Sequence, residues 1–186
     1  MLAILAEDDS DAECLTVIIR RHYGNNKLEI KRKGYDGCGG LCSKGARDIR
    51  AWREAGVTRF VICHDADRRP EFEIREKVLS RVVRPSGSTV DCCVAVPVQE
   101  IEAWLIADES ALTSVISTLR IKPQGQPESL VDPKEWLVKQ SQAANGKPLY
   151  FSALNSSVAQ HMRLDVVAKK CPTFKAFLEC LRQAPR

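Results

Sequence analysis

The chain has 186 residues, the size of one domain with room for a sizeable core and at most a small appendage. Its 44% hydrophobic and 28% charged content, with 10 Gly and 9 Pro, excludes a disordered or collagen-like polymer. A net charge of +4 from 28 basic and 24 acidic residues tolerates nucleic acid but is too weak to mark a dedicated electrostatic binder. The longest apolar runs, such as Leu2 to Ala6, fall far short of the roughly 20 residues that cross a bilayer. That first run meets acid at Glu7 rather than a small-residue cleavage site. The expected setting is therefore cytoplasmic, with the eight cysteines reduced and several of them serving as small buried hydrophobes.

Leu2 to Ala6 is an unbroken apolar run bounded by Glu7-Asp8-Asp9, as expected of a strand covered on both faces. Ser10 and Glu13 have capping-box spacing, Cys14, Leu15, Ile18 and Ile19 follow at helical spacing, and Gly24 supplies a stop. A short extended piece is expected around Leu28 to Ile30, then a glycine-rich loop from Gly34 to Gly40, then a helix through Ile49 and Trp52 ending at Gly56. The next strand spans Arg59 to His64 and stops at Asp65-Ala66-Asp67. A helix follows Pro70, and Ser86-Gly87-Ser88 turns the chain into a strand from Thr89 to Val96. Alternating strands and helices specify an α/β fold with an open, mainly parallel sheet. Beyond Glu100 the reading is helical. Ile101, Trp104 and Leu105 share a face, Asp132-Pro133 opens one helix, and Thr173 to Leu181 forms the last. The expected organisation is an α/β core over residues 1–110 and a helical extension over 111–186 packed on it.

Three acidic clusters follow strand ends: Glu7 after the first, Asp65 and Asp67 after the one ending at His64, and Glu100 and Glu102 after the one ending near Val96. In an open parallel sheet all such ends lie along one edge, where ligands bind. Several carboxylates gathered there repel one another unless a cation intervenes. Oxygen-only ligands select a hard ion, Mg²⁺ or its substitute Mn²⁺. Asp65 and Asp67, two apart in an extended stretch, point to one side and share one metal shell. Capping of the helices that follow is the competing role for each acid taken singly.

These residues, with the stretch Glu100-Ile101-Glu102-Ala103-Trp104-Leu105-Ile106-Ala107-Asp108, resemble the Toprim-like bacterial proteins of domain-of-unknown-function family 4276. Pro127-Glu128, Pro133-Lys134, Tyr150 and Cys171-Pro172-Thr173-Phe174 extend the likeness over nearly the whole chain. The resemblance implies a Toprim-like fold related to that of OLD-type nucleases, with Glu7 as the acid/base residue and Asp65 and Asp67 as Mg²⁺ ligands. Glu100 or Glu102 would supply a third carboxylate, with Glu100 favoured as nearer the strand end. It further implies a nuclease in anti-phage defence, acting on DNA or RNA beside an ABC- or SMC-type ATPase. One departure is that Asp8-Asp9-Ser10-Asp11 stands where many Toprim proteins carry a glycine. Asp8 and Asp11 would there bind a second metal or repel a phosphate.

Basic residues near the site are candidates for substrate phosphate. Lys33, Lys44 and Arg47 flank the glycine-rich loop, and Arg68 and Arg69 follow Asp67. His64 is placed to orient an acid, to protonate a leaving group or to pack the strand end. Cys38, Cys42, Cys92 and Cys93 lack the paired spacing of a zinc site. Two other readings compete. A receiver-like phosphoacceptor would use Asp65 but lacks the later hydroxyl and lysine, and a non-catalytic binding subunit would hold a metal only to dock a partner.

Overall fold

The computed structural model describes residues 1–87, 91–122 and 124–183. Four strands form one parallel sheet: β1 (Leu2–Ala6), β2 (Ile30–Gly34), β3 (Arg59–Cys63) and β4 (Asp91–Ala95), in the order β2-β1-β3-β4. Thr89 and Val90, expected to begin the fourth strand, lie outside the described residues. Helix α1 (Asp9–His22) joins β1 to β2, α2 (Gly37–Glu54) joins β2 to β3, and α3 (Glu71–Val78) follows β3 and runs into a π-helical turn over Leu79–Val83.

Alternate residues of each strand serve two cores, one on each face of the sheet. Leu2, Ile4, Ala6, Val61, Cys63, Cys93 and Ala95 face α1, whereas Ala3, Leu5, Phe60, Ile62 and Val94 face α2 and α3. Period-two alternation with both sides apolar accounts for the unbroken hydrophobic run of β1. The central strands are buried, while β2, with sequence IKRKG, lies at the edge and carries charge there. That polarity is why the expected extended piece at Leu28 to Ile30 fell too early: the pairing residues are Ile30 to Gly34.

The remaining helices are α4 (Glu102–Ile106), α5 (Glu109–Val115), α6 (Pro133–Gln140), α7 (Asn155–His161), α8 (Leu164–Lys170) and α9 (Pro172–Arg182). They cover the α1 face of the sheet. Arg21 Nη1 donates to Ala159 O of α7 at 2.6 Å, and Arg59 Nη2 donates to Cys180 O of α9 at 2.8 Å. Trp104 is fully buried, stacked on Phe177 at 5.7 Å between centroids and edge-on to Phe174 at 5.1 Å. One apolar core thus includes Ile4 and Val61 of the sheet together with Val158, Phe174 and Leu181 of the extension.

Three local expectations are corrected. Asp8 caps α1 in place of the Ser10/Glu13 box. Its carboxylate accepts the Asp11 amide at 2.9 Å and the Ser10 hydroxyl at 2.8 Å, while Glu13 pairs with Arg32. The stretch expected as a glycine-rich loop is mostly helix, because α2 already begins at Gly37, whose φ of +81° lets the chain turn into the helix. Finally, Cys93 of β4 and Cys180 of α9 stand as a disulfide pair, where reduced cysteines were expected. Cys92 and Cys93 point to opposite faces, which also separates the cysteines of any zinc quartet.

Candidate functional site

The chain leaves β1 for α1 on one face and β2 for α2 on the other, so a crevice opens at the carboxyl ends of β1 and β3. Glu7 is the first residue beyond β1 and Asp65 the second beyond β3. They meet directly: Glu7 Oε1 accepts the Asp65 amide at 2.9 Å and lies 2.8 Å from Nδ1 of the fully buried His64. His64 Nδ1 also lies 2.7 Å from Asp65 O, and its Nε2 lies 3.0 Å from Lys77 Nζ of α3.

Three further acids approach this pair. Asp11, in the first turn of α1, is buried, and its carboxyl is pushed up to about 8 by burial first, then by Asp8, Glu102 and Glu7, against a small opposing pull from Lys134. Asp65 is raised well above the ordinary carboxylate range by burial and then by Asp11, Glu7, Glu102 and Glu100. Its Oδ1 is buried with no hydrogen-bond partner. Glu102 is 3% exposed. Its Oε1 accepts Asn155 Nδ2 at 3.2 Å and lies 2.8 Å from the Tyr150 hydroxyl, which is also 2.6 Å from Asn155 Oδ1. Burial and the neighbouring Glu102 push the Tyr150 phenol well up, so it stays a neutral hydroxyl. Glu100 Oε2 accepts the Lys134 amide at the start of α6, and burial raises its carboxyl.

The acidic pair of the sequence pattern is split. Extended backbone ends before Asp67, where φ is +47°, and Arg68 follows at +65°, a left-handed conformation that costs a residue other than glycine about 1 kcal/mol or more. Asp67 is exposed and lines an open cleft of about 190 Å³ with Arg68, Gln99, Glu100, Val131 and Asp132. Asp65 and Asp67 therefore do not lie on one side of an extended stretch, and the charges that act on the Asp65 carboxyl are those of Asp11, Glu7, Glu102 and Glu100. Both glutamates expected as a third carboxylate act on Asp65, Glu102 ahead of Glu100, while Glu100 lines the open cleft.

Lys33 Nζ pairs with Asp48 Oδ2 at 2.6 Å and sits over the Tyr35 ring, and Arg47 also pairs with Asp48, so both are engaged on the flank of α2. Lys44 and Arg69 are exposed, and Arg68 is at the cleft mouth. Asp8 is committed to capping. Gly34 closes the floor: its amide donates to Asp9 Oδ1 at 2.9 Å, and a Cβ there would lie inside the backbone of Asp8 and Asp9. Lys77, Tyr150 and Asn155 were not expected as site residues. No spacing pattern marks them, because they reach the crevice from α3 and from the distant extension.

Among the described residues no three His, Cys, Asp or Glu side chains stand as a preformed metal cage. The donor set nevertheless fits a hard divalent cation. It is all oxygen, its members repel one another, and Asp65 Oδ1 is buried without a hydrogen-bond partner.

An α/β protein with a four-stranded parallel sheet and an acidic crevice at its switch point is the class these features define. The chain belongs to the family described as Domain of unknown function (DUF4276), whose model matches residues 6–182. No curated protein and no solved structure matches it. Among the described residues, no helix is long and apolar enough to cross a membrane.

Proposed function

We propose that the chain is a divalent-cation-dependent phosphodiester hydrolase of Toprim type, acting on DNA or RNA. The observation that supports it is the meeting of Glu7 with Asp65 at the switch point, beside a buried carboxylate oxygen that has no partner. Mg²⁺, or Mn²⁺ in its place, when bound would polarise a phosphoryl oxygen and stabilise the leaving alkoxide. Asp65, Asp11 and Glu102 would hold the cation, and Glu100 and Asp67 face the adjoining cleft. Glu7, with Oε1 already occupied, offers Oε2 to take a proton from the attacking water. Arg68 at the cleft mouth and the exposed Arg69 next to it in sequence would orient the substrate phosphate, whose geometry guanidinium forks match. A cytoplasmic role in anti-phage defence with an ABC- or SMC-type ATPase belongs to the same proposal and rests on family resemblance alone.

The test is Mn²⁺ binding by calorimetry together with cleavage of plasmid DNA and of labelled single-stranded DNA and RNA. Asp65→Asn should keep the circular-dichroism spectrum and lose both Mn²⁺ binding and cleavage. A wild-type protein that neither binds Mn²⁺ nor cleaves any of these probes refutes the proposal. The second reading, a docking subunit without catalysis, is favoured by the outward position of Asp67. Capture of an ATPase partner that survives Asp65→Asn, with no cleavage by the wild type, would establish it.

A further inference from the structure

We infer that Lys77 and His64 are positioning residues for Glu7, forming a buried line from α3 to the crevice that aims the Glu7 carboxylate; this rests on the hydrolase reading above. The tautomer of His64 follows from its neighbours. Nδ1 faces only acceptors, Glu7 Oε1 at 2.8 Å and Asp65 O at 2.7 Å, so it carries the proton. Nε2 faces the Lys77 ammonium at 3.0 Å, which can only donate, so it is the acceptor. The imidazole is thereby a neutral Nδ1–H donor. The His64 Nδ1–H bonds to Asp65 O and lies 2.8 Å from Glu7 Oε1, the oxygen that accepts the Asp65 backbone N–H, and Oε2 is left without a protein donor among the described residues.

Every member of this line is held by the fold. The His64 amide donates to Ala95 O at 3.1 Å, continuing the sheet one residue past β3, and the side chain is fully buried. Lys77 is half-buried and stands just before the π-helical turn at Leu79–Val83, a departure from α-helical geometry that often marks functional positions. A carboxylate oxygen that accepts a backbone N–H and is wedged at 2.8 Å against a fully buried imidazole is restrained from swinging, so the other oxygen keeps one direction. Outer-shell partners of this kind typically change metal affinity or activity about 10–100-fold when removed.

The test has two independent parts. In ¹⁵N-histidine NMR of the wild-type protein, His64, one of three histidines, should show the Nδ1–H tautomer; the Nε2–H form overturns the inference whatever the catalysis shows. In the second part, Mn²⁺ affinity and the Mn²⁺-dependent hydrolysis of bis(4-nitrophenyl) phosphate are compared among Glu7→Gln, His64→Leu, His64→Asn and Lys77→Met, with folding checked by thermal melting. His64→Leu and Lys77→Met should lower kcat or Mn²⁺ affinity about 10–100-fold with KM little changed. His64→Asn, whose amide can donate where Nδ1–H does, should recover most of that loss. If Glu7→Gln abolishes hydrolysis but His64→Leu and Lys77→Met do not weaken it, the inference fails and the hydrolase reading stands. If Glu7→Gln is also without effect on both Mn²⁺ binding and hydrolysis, the hydrolase reading itself fails.

Discussion

Replacing Asp11 with Asn should stabilise the metal-free protein at pH 8. Burial and the charges of Asp8, Glu102 and Glu7 raise the folded carboxyl of Asp11 from 3.8 to about 8, whereas the unfolded chain titrates near the ordinary value. Across that window the folded state holds a proton that the unfolded state has released, so stability falls as pH rises. Each pH unit of the window is worth about 1.4 kcal/mol, which sets a ceiling of about 6 kcal/mol at pH 8. Water entry and side-chain relaxation around a partly open crevice reduce this to an expected 2–4 kcal/mol, roughly. The assay is urea unfolding followed by tryptophan fluorescence in EDTA at pH 5 and pH 8, for wild type and Asp11→Asn. His22, whose pKa burial lowers, acts in the opposite direction below its ordinary value, and the difference between the two proteins cancels it. Saturating Mn²⁺ should remove most of the advantage of the variant, because the cation neutralises the same repulsion. A variant no more stable than wild type at pH 8, or an advantage equal at pH 5 and pH 8, would refute the repulsive crevice.

Gly34→Ala should cost roughly 1–3 kcal/mol in thermal or urea unfolding, since the added methyl group meets the Asp8 and Asp9 backbone. It should also weaken Mn²⁺ binding by displacing the Glu7 loop. Asp108 is fully buried and bonded to the Arg163 guanidinium, the Arg163 amide and Ser110, which hold its carboxyl below the ordinary range against the cost of burial. Asp108→Ala should therefore cost about 2–3 kcal/mol at pH 7. The gap to wild type should narrow as pH falls through the carboxylate range, because a depressed folded value gives stability that is present above the unfolded pKa and lost in acid. Trp104→Ala should cost about 3–5 kcal/mol by emptying the space between Phe174 and Phe177. Tyr150→Phe should keep the fold but weaken Mn²⁺ binding, since Glu102 loses one of its two donors.

Much of the fold was legible because the determinants are local. The apolar run of β1, the Asp132-Pro133 start of α6 and the periodic Phe174, Phe177, Leu178 and Leu181 of α9 each predict an element that exists at nearly the expected place. Errors arose where local signals were weak or ambiguous. Glycines read as loop are the first turns of α2, since a helix start tolerates them when packing holds the rest of the helix. The charged strand β2 has no apolar signature because it is an edge. In the crevice, Glu7 and Asp65 stand just beyond the parallel strands β1 and β3, and the Asp65 backbone amide donates to the Glu7 carboxylate.

By itself the sequence determined that acids follow successive buried strands, and parallel topology then requires those acids to share one edge. Which acids actually converge was decided by tertiary structure. The left-handed turn at Asp67 sends that side chain outward, and the docking of α1 and of the extension brings in Asp11, Glu102, Tyr150 and Asn155. Lys77 reaches His64 only because α3 packs back across the sheet. Side-chain direction and long-range packing leave no periodic trace in a chain, whereas strand burial does.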